Sequence, residues 1–134
     1  MLEYRVSARR LDAHGSEATT KQASLTLDTD IHGRPDAFNP AELFLASIAA
    51  CMIKGIERAA PMIHFSFTSV EIRLHGIRQD APPMMVEVRY EIIAGTAEDD
   101  RRLELLHTNV RKYGTISNTV AKATKLEGTI RRAG

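Results

Sequence analysis

The sequence predicts an α+β fold, with helices gathered on one side of an antiparallel sheet. Three observations carry that prediction. Apolar and charged residues alternate with period two in short runs near the start, the middle and the end of the chain. One segment, Leu43 to Ile53, is apolar on nearly every side, its only polar side chains being Ser47 and Cys51. Two further helical stretches lie between the central strands and the last one. The expected order is β-β-α-β-β-α-α-β.

At the start, Leu2, Tyr4, Val6 and Ala8 alternate with Glu3, Arg5, Ser7 and Arg9, the pattern of a half-buried strand. Asp12-Ala13-His14-Gly15-Ser16 has turn chemistry. Ala23, Leu25 and Leu27 then alternate with Ser24 and Thr26, so the first two strands are expected to form a hairpin. Asp28–Phe38, with Gly33 and Pro35, reads as a loop. Asn39-Pro40-Ala41-Glu42 opens a helix: Asn39 caps it, Pro40 suits the first helical position, and Glu42 is a capping-box acid. This helix is expected to reach Ala59 and to be stopped by Pro61. An all-round apolar helix must be covered all round. One small sheet covers one face, so a partner subunit is the expected cover for the other, with Ala49 and Ala50 in tight packing beside Cys51.

Val70, Ile72 and Leu74 oppose Glu71, Arg73 and His75, while Phe65 and Phe67 are out of phase with them, which suggests a bulge near Thr68-Ser69. Met84, Val86, Val88, Tyr90 and Ile92 form a second alternating run, joined to the first as a hairpin through Arg78–Pro83. Thr96 with Asp99 opens a helix through Tyr113 with Leu103, Leu106, Val110 and Tyr113 on one stripe, and Gly114 ends it. A short helix over Ser117–Ala123 and a closing strand through Leu126, Gly128 and Ile130 complete the chain.

The 134 residues fit one domain, 1–134. Eighteen Lys and Arg against seventeen Asp and Glu leave a formal net charge of +1. The basic pairs Arg9-Arg10, Arg101-Arg102 and Arg131-Arg132 are scattered, so no nucleic-acid partner is expected. Leu43 to Ile53 is too short to span a bilayer, which takes about 20 residues, and residues 1–10 lack the apolar core of a secretory leader. A single cysteine cannot close an internal disulfide, so the cytoplasm is the expected compartment. His14, His32, His64, His75 and His107 show no metal-ligand spacing, and there is no Gly-rich phosphate loop or Gly-x-Ser-x-Gly elbow. No metal and no cofactor are expected.

Cys51 remains as the candidate reaction centre. A free cysteine often serves only as a small buried hydrophobe. Here Ser47, Cys51 and Gly55 form a stripe of small residues one turn apart, with room for a ligand or a close helix neighbour. Lys54 follows Cys51 closely, where a cation favours a thiolate.

The run Asn39-Pro40-Ala41-Glu42-Leu43-Phe44-Leu45-Ala46-Ser47-Ile48-Ala49-Ala50-Cys51 resembles the first motif of the OsmC/Ohr family, the osmotically inducible and organic-hydroperoxide-resistance proteins. Tyr113-Gly114-Thr115-Ile116-Ser117-Asn118-Thr119 resembles the second. The element order matches as well, so the resemblance covers nearly the whole chain. It implies an intertwined homodimer with the Cys51 helix at its centre. It also implies reduction of organic or hydrogen peroxides by a peroxidatic cysteine, which pairs with the cysteine of the second motif and is regenerated by a dithiol. An arginine and a glutamate hold the thiolate in such proteins.

Only part of this machinery carries over. Cys51 matches the peroxidatic cysteine; Gly114 stands in place of the second cysteine and Thr115 in place of its proline. Ala41 occupies the position of the glutamate in the peroxide-reducing branches, and Glu42 matches a Pro-x-Glu branch or serves as a helix cap. Arg9, Arg10 and Arg34 are the candidates for the arginine. The expectation is a redox protein in which Cys51 acts alone on a hydroperoxide and is resolved by an external thiol. The alternatives are a non-catalytic homodimer that binds a small hydrophobic molecule between subunits, and a purely structural role.

Overall fold

The computed structural model describes all of residues 1–134. Strand β1 covers Ser7–Asp12, β2 Gly15–Thr20 and β3 Ala23–Leu27, and they pair antiparallel in that order. The expected hairpin is therefore a three-stranded meander. The unexpected strand, β2, has no large apolar residue; pairing on both edges makes it a strand, with Ala18 opposite Ala8 and Leu25. Leu2, Tyr4 and Val6 lie outside β1 and are exposed; the pairing of β1 with β2 begins only at Ser7, opposite Thr19. Beyond that point Thr20 Oγ1 donates to the Arg5 carbonyl at 2.8 Å.

The turn at Asp12 forms as expected, its carboxylate accepting the His14 N–H at 2.8 Å and the Gly15 N–H at 3.1 Å. In the 28–38 loop, Asp28 is 5% exposed and accepts the N–H groups of Asp30 and Arg34, each at 3.1 Å. Gly33 takes the left-handed φ of 80° that this loop requires.

Helix α1 spans Pro40–Ile63. Its start is a reciprocal capping box: Glu42 N–H donates to Asn39 Oδ1 at 2.8 Å, and Asn39 N–H to Glu42 Oε1 at 2.9 Å. Pro61 does not stop the helix at Ala59. It sits in the last turn, where one backbone bond is lost, and the C-terminal carbonyls of Ile63 and His64 accept hydrogen bonds from Arg102 Nη2. His64 then leaves the helix with a φ of 55°.

By its contacts the chain divides into two compact units, Met1–Phe44 and Leu45–Gly134. In the second, β4 (Ser69–Asp80), β5 (Pro83–Gly95) and β6 (Lys125–Arg132) form a sheet in that order. β4 and β5 are antiparallel, but β6 joins parallel to β5, so the sheet is mixed rather than antiparallel throughout. Helices α2 (Asp100–Tyr113) and α3 (Thr115–Val120) are the crossover that a parallel pair needs. The register shift falls between Ile77 and Arg78, opposite the extra residue Val86 of β5, and not near Thr68-Ser69, because Phe65 and Phe67 precede the strand. Ile48, Met52 and Ile56 of α1, Val88 and Ile92 of β5, and Leu106 and Val110 of α2 are at most 1% exposed and form the core of this unit. Tyr113, expected on the same stripe, is exposed instead.

Candidate functional site

Cys51 is half-buried on α1, between the fully buried Ile48 and Met52 of that helix. Its outer neighbours Ala50, Ile53 and Lys54 are exposed, Ile53 by 39%, and Ala49 is half-buried. The tight packing expected around Ala49 and Ala50 is thus absent within one chain. The 24-residue helix presents one face to its own unit and leaves the other open at Ala50 and Ile53.

One turn after Cys51, Gly55 is buried. A Cβ there would lie 3.5 Å from Val110 Cγ1, so the small-residue stripe at this point admits a helix neighbour, α2. Arg58 is a residue that neither motif marks. It falls seven positions after Cys51, on the same face about 10.5 Å along the axis. Its guanidinium donates to the Tyr113 carbonyl at 3.3 Å and to Asn109 Oδ1 at 3.2 Å, and lies 5.4 Å from the Tyr113 ring centre. The i, i+7 spacing is legible in the sequence; the partners at the end of α2 are not.

Those partners lead directly into the second motif. Gly114 is buried, ends α2 and precedes α3, with an ordinary extended backbone of φ −79° and ψ 113°. A Cβ at Gly114 would lie 3.0 Å from the Val110 carbonyl and 3.1 Å from Ser117 Oγ, so even alanine is tight there. Ser117 Oγ is buried and has no hydrogen-bond partner in the protein.

The remaining candidates lie in the first unit. Glu42 is the helix cap described above. Arg9 and Arg10 are exposed on β1, Arg9 with a loose 3.9 Å contact to Glu17. Arg34 grips Asp36 with two nitrogens, Nε at 2.6 Å and Nη2 at 2.9 Å. That hydrogen-bonded pair holds the Asp36 carboxyl below its ordinary range and raises the guanidinium above its own.

Comparison with known proteins fits this architecture. Residues 33–128 match the family described as OsmC-like protein. No curated protein matches the chain in sequence. Among solved structures, the crystal structure of an OsmC-like protein from Mycoplasma pneumoniae has a TM-score of 0.89 at 18% identity, covering 99% of each chain. The organic hydroperoxide resistance protein OsmC of Legionella pneumophila has a TM-score of 0.72 at 19% identity, covering 97% of this chain and 98% of its own. For OhrB of Bacillus subtilis, an organic hydroperoxide resistance protein, the values are 0.66, 17%, 97% and 98%. At these identities the structures share the fold, and the family match spans well over half of the sequence: the chain belongs to the OsmC-like proteins.

Proposed function

We propose that this protein is a cytoplasmic OsmC-like homodimer in which Cys51 reduces an organic hydroperoxide without a resolving cysteine. The observation that carries the reading is a half-buried, single cysteine at the motif position, with glycine at position 114. The Cys51 thiolate attacks the terminal peroxide oxygen; the O–O bond breaks, cysteine is oxidised to sulfenic acid, and the alcohol leaves after gaining a proton. An external thiol then displaces water from the sulfenic acid to form a mixed disulfide, and a second thiol frees Cys51. The uncovered face of α1 at Ala50 and Ile53 supports the dimer, whose sedimentation should give about twice the 14.9 kDa chain mass.

A second reading, binding of a small hydrophobic molecule without catalysis, is favoured by one observation. Glu42 and Arg34 are each engaged elsewhere, on the Asn39 N–H and on Asp36. One experiment separates the two. One equivalent of cumene hydroperoxide, followed by a 1,3-dione trap, should label Cys51 by mass spectrometry and produce no internal disulfide. A thiol that stays unmodified, with a measured pKa at or above about 8.5, overturns the catalytic reading in favour of the binding one.

A further inference from the structure

Away from Cys51, the inner face of β5 and the facing side of α2 assemble a polar cluster that the peroxide chemistry does not use. Tyr90 is 4% exposed, and its ring fits against β6 because residue 128 is glycine; a Cβ there would collide with the ring. Its hydroxyl meets His107 Nε2 at 2.6 Å and Arg111 Nη1 at 3.0 Å. His107 Nδ1 meets Glu104 Oε1 at 3.1 Å. A guanidinium only donates and a carboxylate only accepts; with a single proton on the His107 ring, the chain runs in one direction. Arg111 donates to Tyr90, Tyr90 to His107 Nε2, and His107 Nδ1–H to Glu104.

This arrangement has a consequence for charge. Glu104 is held by His107, and no carboxylate oxygen lies within 4.0 Å of the half-buried Arg111. Arg111 uses Nη1 alone, on Tyr90 and on the Leu126 carbonyl at 3.0 Å. The Nε and Nη2 edge, the pair of donors that matches a carboxylate in bidentate fashion, makes no hydrogen bond in the protein. Arg111 lines a shallow, solvent-open cleft of about 510 Å³ together with Thr108 and Gly128, wide enough to admit a small organic molecule. Glu104 and Glu127 also line it; their carboxylates repel a dianion such as phosphate about twice as strongly as a singly charged carboxylate, which leaves the monoanion the better match to one guanidinium. We infer that this cleft is a binding site for a small organic monocarboxylate, seated on the free edge of Arg111. It is independent of the reading given to Cys51.

The test is an amide NMR titration of the intact protein with sodium benzoate, and separately with sodium phosphate, at constant ionic strength. Benzoate should give saturable shifts at Thr108, Arg111 and Gly128. Arg111→Gln should weaken that binding by roughly tenfold or more, the loss of a charge-assisted pair. Thr108→Phe, at an exposed position, should fill the cleft with a similar loss and decides the matter if Arg111→Gln does not fold. Absence of saturable shifts, an unchanged affinity in a folded variant, or phosphate binding as tight as benzoate overturns the inference.

Discussion

Within Leu45–Gly134 apolar side chains of α1, β5, α2 and β6, from Ile48 to Leu126, are buried. Within Met1–Phe44 the buried polar side chains are Ser16 and Asp28, while Met1, Leu2, Tyr4, Val6, Leu11, Leu25, Ile31 and Phe38 are exposed. The second unit is held by core packing. The first is held by sheet pairing and by short polar links: the Asp12 and Asp28 turns, and the 2.7 Å contact of Ser16 Oγ with Thr29 Oγ1. The second unit thus carries its own stability, whereas the apolar surface of the first lacks the cover that the proposed second subunit would supply.

The two units should differ most on truncation of a core side chain. Leu106→Ala should cost about 2–5 kcal/mol in denaturant unfolding. Leu25→Ala, at a side chain 41% exposed, should change the stability of the monomer little and instead weaken self-association in sedimentation. A Leu25→Ala loss as large as that of Leu106→Ala, measured where the protein is monomeric, would show that the first unit has a core after all.

Next in size is the polar framework of the first unit. Asp28→Ala leaves two backbone N–H groups without their acceptor and should cost roughly 1–3 kcal/mol, read locally as faster amide exchange at Asp30 and Arg34. Asn39→Ala removes one half of the capping box and should cost about 1 kcal/mol, read as fraying of the first turn of α1 by the same exchange measurement. Protection unchanged in both variants would mean that these links do not hold the unit.

The smallest effects are those of pH, and they differ between the units. In the first, Asp30 is held below the ordinary 3.8 by the His14 ring, Asp12 by the His14 N–H, and Asp36 by Arg34. Their stabilisation is present above pH 3.8 and is lost as pH falls through the depressed values. The second unit has one such carboxyl, Glu87, lowered by Arg89 from 4.5. It also has Tyr90, which burial raises above 10.0 against the opposing pull of Arg111. The Tyr90 contribution is complete below pH 10 and is lost as pH rises through the raised value. Amide exchange should therefore show the first unit loosening before the second in acid, and the surroundings of Tyr90 loosening in strong base. The reverse order would remove the electrostatic part of the contrast.

The features legible along the chain are local or repetitive. The Asn39–Glu42 box closes over three residues, Asp99 caps α2 by accepting the Arg102 N–H at 2.9 Å, and the alternation of β4 and β5 states which faces are inward. The two family motifs are also contiguous runs, so family and fold class are legible along the chain itself. Tertiary structure alone decided the rest. β2 is a strand because two neighbours pair with it, and α1 runs past Pro61 into a last turn capped by Arg102, 39 residues beyond Ile63. The direction of β6 follows from the crossover through α2 and α3, and the Tyr90–His107–Arg111 chain joins residues 17 and 21 apart across a sheet and a helix. Each of these depends on hydrogen bonds closed only after distant segments have packed, and a periodic pattern read along the chain carries no record of which segments will meet.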